Sequence, residues 1–154
     1  MSLVENIVLD LIKKNISISV AESCTGGLIC NTITKISGVS KIFNYGIICY
    51  SNKSKTKYLS ISYNKLLKYG AVSHQVANEM INRLYKKEKS KICISTTGIA
   101  GPSGGSKLKP VGLVFIGIKF NKTNYIYKKY FKGSRTEIQT KTKNFVFKKI
   151  KELI

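Results

Sequence analysis

A chain of 154 residues with 43% hydrophobic residues is the length of one ordinary domain and has material for a real core, which excludes wholesale disorder. Its formal net charge is +20, from 27 Lys and Arg against 7 Asp and Glu, and its abundant Lys, Ile, Asn and Tyr are the residues of AT-rich codons. The lysines are spread along the chain rather than gathered in one stripe, so compositional bias explains the charge better than a dedicated polyanion site. No signal peptide is visible at the start, and no apolar run approaches the roughly 20 residues that span a bilayer. A soluble, cytoplasmic protein is expected, with no membrane partner.

Four cysteines and one histidine, His74, form no CxxC pair or other ligand spacing, so no metal is expected. With no export signal, Cys24, Cys30, Cys49 and Cys93 are expected to stay reduced.

In chain order, Leu3, Ile7, Val8, Leu11 and Ile12 predict a helix over 3–14. Ile16, Ile18 and Val20 alternate with serines and predict a strand that runs into Glu22. The segment Glu22–Gly27 reads as a tight strand-to-helix turn, followed by a helix to about Ser37 that Gly38 ends. A strand is predicted at Gly46–Tyr50, then a short helix through Tyr58 with Asn52 as its cap, then another short helix around Leu66 and Leu67. Ser73 reads as the cap of a helix over 74–87. Strands at Ile92–Thr96, Val111–Phe120 and Tyr125–Phe131 precede a final amphipathic helix over 136–153. No linker divides the chain. The expected fold is α/β: a single domain over residues 1–154, a three-layer α/β/α sandwich with a mixed sheet. Strand order is not readable.

The inventory of reactive groups narrows the chemistry. A Ser-His-Asp triad would need His74, just after a helix cap, and Asp10, mid-helix, the only aspartate. A catalytic carboxylate pair is equally poorly supported. A nucleophilic hydrolase built from this chain would therefore use lysine or tyrosine as base, and the lysine would need burial or nearby positive charge to lose its proton. Two loops look like sites. The turn Glu22–Gly27 opens a helix whose N-terminus favours an anion such as phosphate. The loop Thr96–Gly105 has closely spaced glycines that let a backbone approach a ligand.

Together these segments resemble the CinA C-terminal domain family, the nicotinamide-nucleotide amidohydrolases. The matching strings are Ala21-Glu22-Ser23-Cys24-Thr25-Gly26-Gly27; Tyr50-Ser51-Asn52 with Lys55; Gly70-Ala71-Val72-Ser73; Thr97-Gly98-Ile99-Ala100-Gly101-Pro102 with Gly104-Gly105; Lys109-Pro110-Val111-Gly112; and Gly133 with Arg135. Any one of them is weak, but they fall in the family's order across nearly the whole chain. The resemblance implies hydrolysis of nicotinamide mononucleotide to nicotinic acid mononucleotide and ammonia, without metal or cofactor. It implies Ser40 as nucleophile, with Tyr50 and Lys55 as its proton-transfer partners. Candidates for substrate binding are Thr97 and Arg135, with Ser23, Thr25 and Gly26 of the first turn and Gly98 and Gly101 of the second loop. Arg135 is the bidentate candidate for the phosphate. The chain departs from many relatives at Ser134 and Gln139, where an aspartate and a second arginine are usual, and this bears on how firmly a phosphate is held. The N-terminal domain of longer relatives, with its activity, is expected to be missing. A homo-oligomer is expected.

Three other readings compete. One is a basic nucleic-acid-binding protein, for which no motif is present, so nucleic acid is not the expected partner. Another is a cysteine hydrolase with Cys24 activated at the helix N-terminus. The last is a relative that binds nucleotide without catalysis.

Overall fold

The computed structural model describes all of residues 1–154. Helix α1 (Leu3–Lys13) begins where Ser2 and Glu5 cap each other's backbone N–H, and it buries Ile7, Val8 and Leu11. Strand β1 (Ile18–Glu22) is buried at every position. Although isoleucine and serine alternate along it, both of its faces are covered, and Ser19 is satisfied against the Cys93 sulfur at 3.4 Å. Helix α2 (Leu28–Thr34) follows, then strand β2 (Phe43–Ile48), helix α3 (Asn52–Leu59), helix α4 (Tyr63–Tyr69) and helix α5 (His74–Lys87). Strands β3 (Ile92–Gly98), β4 (Leu113–Phe120) and β5 (Thr123–Tyr130) and helix α6 (Arg135–Leu153) complete the chain. No helix is long and apolar enough to cross a membrane.

The sheet has five strands in the order β2-β1-β3-β4-β5. β1 is parallel to both β2 and β3, while β3–β4 and β4–β5 are antiparallel, so the sheet is mixed. The β4–β5 hairpin turns on Asn121 and Lys122, both with positive φ, the backbone that a two-residue hairpin loop demands. Side chains alternate across β1 and β3. Ile18, Val20, Ile92 and Ile94 join the core under α1, α2 and α6, while Ala21 and Cys93 join the core under α3, α4 and α5. The result is a single-domain α/β/α sandwich, as the order of elements predicted. Helix α5 sits close to the sheet because Gly117 has no side chain: a Cβ there would lie 2.5 Å from Ser95 Oγ and 3.0 Å from the Ala77 carbonyl oxygen.

Several predicted boundaries shift: α2 ends at Thr34 rather than near Ser37, β3 runs on to Gly98, β4 starts at Leu113 rather than Val111, and β5 covers Thr123–Tyr130. β2 starts at Phe43 rather than Gly46, because an edge strand with alternating exposure carries polar Asn44 that an apolar run cannot flag. Helix α3 is capped by Ser51, not Asn52, through a reciprocal pair of bonds with Ser54.

Candidate active site

Three parallel strands end at the same edge. Glu22, the last residue of β1, pairs with Ile48 of β2 and Thr96 of β3. Ser23 therefore leaves the sheet beside Cys49 and Tyr50, next to Thr97 and Gly98, the last residues of β3, which stay paired with β4. The crevice outside the carboxyl ends of parallel strands is where open α/β sheets place their ligands. Helix α3 starts at this edge and turns Lys55 back into it. The lysine is 1% exposed, and its Nζ donates to Ser23 Oγ at 2.9 Å, to the Cys49 carbonyl at 2.9 Å and to the Tyr50 carbonyl at 3.2 Å. A cavity of about 160 Å³ opens over this group, walled by Ser23, Tyr50, Asn52, Lys55, Val72 and Thr97 among others. A larger groove of about 620 Å³ lies between α1, α2 and α6, but it contains no paired nucleophile and base.

Lys55 has no carboxylate partner. Burial holds its amine below the ordinary lysine range, and the nearby Cys49 and Cys24 sulfurs oppose this to a lesser degree. The bonding geometry matters for the neutral form. A neutral amine has two N–H donors and one lone pair. The two backbone carbonyls can only accept, so they take the two donors, and the lone pair is left facing the Ser23 hydroxyl. That is the arrangement of a nucleophile and its base.

Ser40, the nucleophile that the family resemblance implied, does not reach this site. It is exposed in the single 3-10 turn Val39–Lys41, before β2 begins, and Ile42 is bonded to Ile18 at the start of β1. The six residues of β2 separate that edge from Tyr50, about 20 Å at the usual rise of a strand. The correction follows from topology: residues before and after a strand lie at opposite edges of its sheet. Ser23, expected only to bind substrate, holds the position beside Lys55.

The other expected site residues divide into two groups. Thr97 and Gly98 line the cavity, although the Thr97 hydroxyl is occupied in a 2.8 Å bond to the Ala71 carbonyl. Arg135 stands at the rim in the first turn of α6, where Nη2 donates to the Tyr50 hydroxyl at 2.5 Å and Nη1 to the Gly101 carbonyl at 2.9 Å. Tyr50 thus gives its carbonyl to Lys55 and its phenol to Arg135. Thr25 and Gly26 shape the turn rather than the cavity. The Thr25 and Thr96 hydroxyls are 2.8 Å apart in the interior, and Gly26 adopts a positive φ while its N–H bonds the Ser23 carbonyl. Gln139 donates to the Cys24 carbonyl at 2.9 Å and Ser134 caps α6, so both departures from the family pattern have local work.

The anion site expected at the start of α2 is already filled. Glu22 is fully buried, and its carboxylate accepts from the backbone N–H groups of Gly27 at 3.0 Å, Ile29 at 3.1 Å and Cys30 at 2.7 Å. Gly27, the N-cap, has no side chain to do this. A substrate phosphate would have to displace a buried charge from its own cap, so that expectation is corrected. The sequence carried a signal for the true occupant, since Glu22 is the one acidic residue in a glycine turn. Glu22→Ala should lower unfolding free energy by about 2 kcal/mol or more, because three buried donors lose their acceptor; denaturant melts with an unchanged midpoint would refute the assignment.

Cys24 does not have the character of a nucleophile. It is 6% exposed, and burial raises its thiol to about 12, so the helix N-terminus does not generate a thiolate. Folded protein at pH 7.5 should therefore alkylate at Cys24 far more slowly than urea-unfolded protein, as peptide mapping after brief iodoacetamide treatment would show. No three His, Cys, Asp or Glu side chains come together as a possible metal cluster.

Comparison with known proteins agrees with the fold and with the family resemblance. The model of the CinA C-terminal domain matches residues 1–154. A protein of Thermoanaerobacter pseudethanolicus whose name refers to competence-damage induction is 45% identical over 139 residues, 90% of this chain and 34% of that protein. The chain thus spans about a third of the length of such curated relatives. Among solved structures, a CinA superfamily protein of Escherichia coli superposes with a TM-score of 0.93 at 28% identity, over 99% of this chain and 88% of that one. A competence/damage inducible protein of Agrobacterium tumefaciens superposes with a TM-score of 0.92 at 33% identity, over 99% and 96%.

Proposed function

The chain belongs to the CinA C-terminal domain family, and from that premise we propose that it hydrolyses the carboxamide of nicotinamide mononucleotide, releasing ammonia, with Ser23 as nucleophile. The observation that carries this reading is the 2.9 Å contact between Ser23 Oγ and the buried, carboxylate-free amine of Lys55.

The chemistry follows from that contact. Ser23 Oγ attacks the carboxamide carbon as its proton passes to the Lys55 amine. The carbonyl electron pair moves onto oxygen. Ser23 stands where a strand turns into a helix, and the N–H group of Thr25 just beyond it has no acceptor in the chain, so it is available to the oxyanion. The tetrahedral adduct then collapses. The C–N bond breaks, the Lys55 ammonium returns its proton to nitrogen, and ammonia leaves. Water attacks the resulting ester by the same route in reverse roles.

Tyr50 and Arg135 belong to the nucleotide end of the substrate. Both lie at the mouth of the cavity, and a cavity of about 160 Å³ suits a carboxamide-bearing ring better than a whole nucleotide. The ribose and phosphate would then lie outside, where Arg135 can exchange its bond to the phenol for a bidentate one to phosphate. The test is direct: purified protein should release ammonia and nicotinic acid mononucleotide in equal amounts from nicotinamide mononucleotide. Binding without ammonia release would instead favour a non-catalytic nucleotide-binding relative.

A further inference from the structure

The substrate reading leaves an electrostatic question open, and the following inference rests on that reading. Lys55 must be neutral to accept the Ser23 proton, yet it lies within reach of three acceptors that would also suit an ammonium. The groups facing it are few. From the end of β1 comes the Glu22 carboxylate, spent on the N-terminus of α2, and from the turn after it the Cys24 thiol. From the end of β2 come the Cys49 thiol, itself raised by burial, and the Tyr50 phenol, held by Arg135. The segment Ala71–Val72 and residues Thr97–Gly98 of β3 bring no ionisable side chain, and Lys87 of α5 acts on the Cys49 sulfur. No acidic residue lines the cavity.

Acylation geometry then fixes where the charge of the substrate must fall. The carboxamide carbon has to come within about 3.5 Å of Ser23 Oγ. The pyridinium nitrogen belongs to the same rigid unit, so a positive charge arrives within about 10 Å of Lys55 Nζ whichever way the ring is turned. With no carboxylate in the cavity to neutralise it, that charge acts on the lysine directly. We propose that the site is built for carboxamides carried on a cationic aromatic ring, and that the ring's own charge expels the proton from Lys55 and so prepares the base. The proton leaves to solvent through the open mouth of the cavity. After attack, when Lys55 holds the Ser23 proton, the same repulsion makes its ammonium a better acid toward the departing nitrogen. A neutral amide ring of the same shape gains neither effect.

The test uses the full chain as Ser23→Ala, which keeps the cavity but cannot form the ester. The Lys55 side-chain carbon resonance, assigned by its loss in Lys55→Met, is titrated free, saturated with nicotinamide mononucleotide, and saturated with the isosteric nucleotide that has a benzene ring in place of the pyridinium. The two ligands share the ribose and phosphate and differ in ring charge alone. The expected result is a Lys55 midpoint lower by about one pH unit with the cationic ligand than with the neutral one. Equal midpoints would overturn the inference. With wild-type protein, the acid limb of kcat, along which the rate rises as Lys55 loses its proton, should move in the same sense between the two substrates, while kcat/KM, which reports the free enzyme, should rise at one common pH. Coincident kcat limbs would also count against it. Absence of ammonia release from nicotinamide mononucleotide by wild type is a separate outcome: it rejects the amidohydrolase reading itself, and the inference falls with it.

Discussion

Ser23→Ala should reduce ammonia release from nicotinamide mononucleotide by about 10³-fold or more, because removing a covalent nucleophile leaves only binding and oxyanion stabilisation. Ser40→Ala should stay within about twofold of wild type, as expected of an exposed loop hydroxyl with no partner. The pair of variants separates two readings of one chain. The family resemblance implied Ser40; the contact with Lys55 supports Ser23. Both serines lie near a glycine and near a helix end, so sequence context hardly distinguishes them. Their places in the sheet do. Ser23 follows β1 at the carboxyl edge, whereas Ser40 precedes β2 at the opposite edge. Neither substitution should unfold the protein. Ser23 Oγ makes only its contact with Lys55 and a long one, 3.4 Å, to the Tyr50 carbonyl. Rates measured alongside circular dichroism would settle the matter, and the reverse pattern of activities would return the nucleophile to residue 40.

Local signals in the sequence were enough for much of the fold. Helix α5 begins and ends where Ser73 and the spacing of Val76, Met80, Ile81 and Leu84 predict, because a cap and an apolar stripe are both short-range features. The site depended on contacts that span the chain. Lys55 lies in an eight-residue helix, Asn52–Leu59, among Lys53, Ser54, Thr56 and Lys57. Read alone it is one more solvated lysine in a chain that has many. Its burial depends on the pairing of β2 with β1, which brings residues 49 and 50 beside residue 23, and no periodicity encodes that pairing. The turn Glu22–Gly27 was recognisable as a site, and Glu22 stood out as the one acidic residue in a glycine turn, but the direction of its carboxylate was not legible. A free helix N-terminus suggests an external anion; only the three-dimensional path of the chain shows that Glu22 turns its own carboxylate onto the N–H groups of Gly27, Ile29 and Cys30. That internal cap also ties the turn to the strand before it. Ser23 is clamped between a buried strand and a helix whose first turn is bonded back to the preceding residue, which fixes its hydroxyl against Lys55 before any ligand arrives.

Lys55→Met should abolish turnover while leaving a folded protein whose stability depends on pH in a distinctive way. Loss of a general base and acid costs about 10²- to 10⁴-fold. Methionine matches the length and flexibility of the lysine stem without its amine, so the side chain still fills its buried path between α3 and the sheet. The effect on stability has a definite sign. Burial lowers the Lys55 amine in the folded protein below its unfolded value of about 10.4. Below the folded value both states carry the proton, and the cost of burying an ammonium is present in full. Between the folded value and about 10.4 the unfolded chain binds more protons, so wild-type stability rises with pH. The methionine variant has no such group. Its stability relative to wild type should therefore be most favourable at the acid end of this window and decline steadily toward pH 10, offset throughout by the Cys49 and Tyr50 carbonyls that lose their donor. Urea midpoints of the two proteins taken from pH 6 to 10 give the comparison. A difference that stays flat over that range would mean that the amine of residue 55 is not perturbed by burial, and the case for it as a base near neutral pH would be lost.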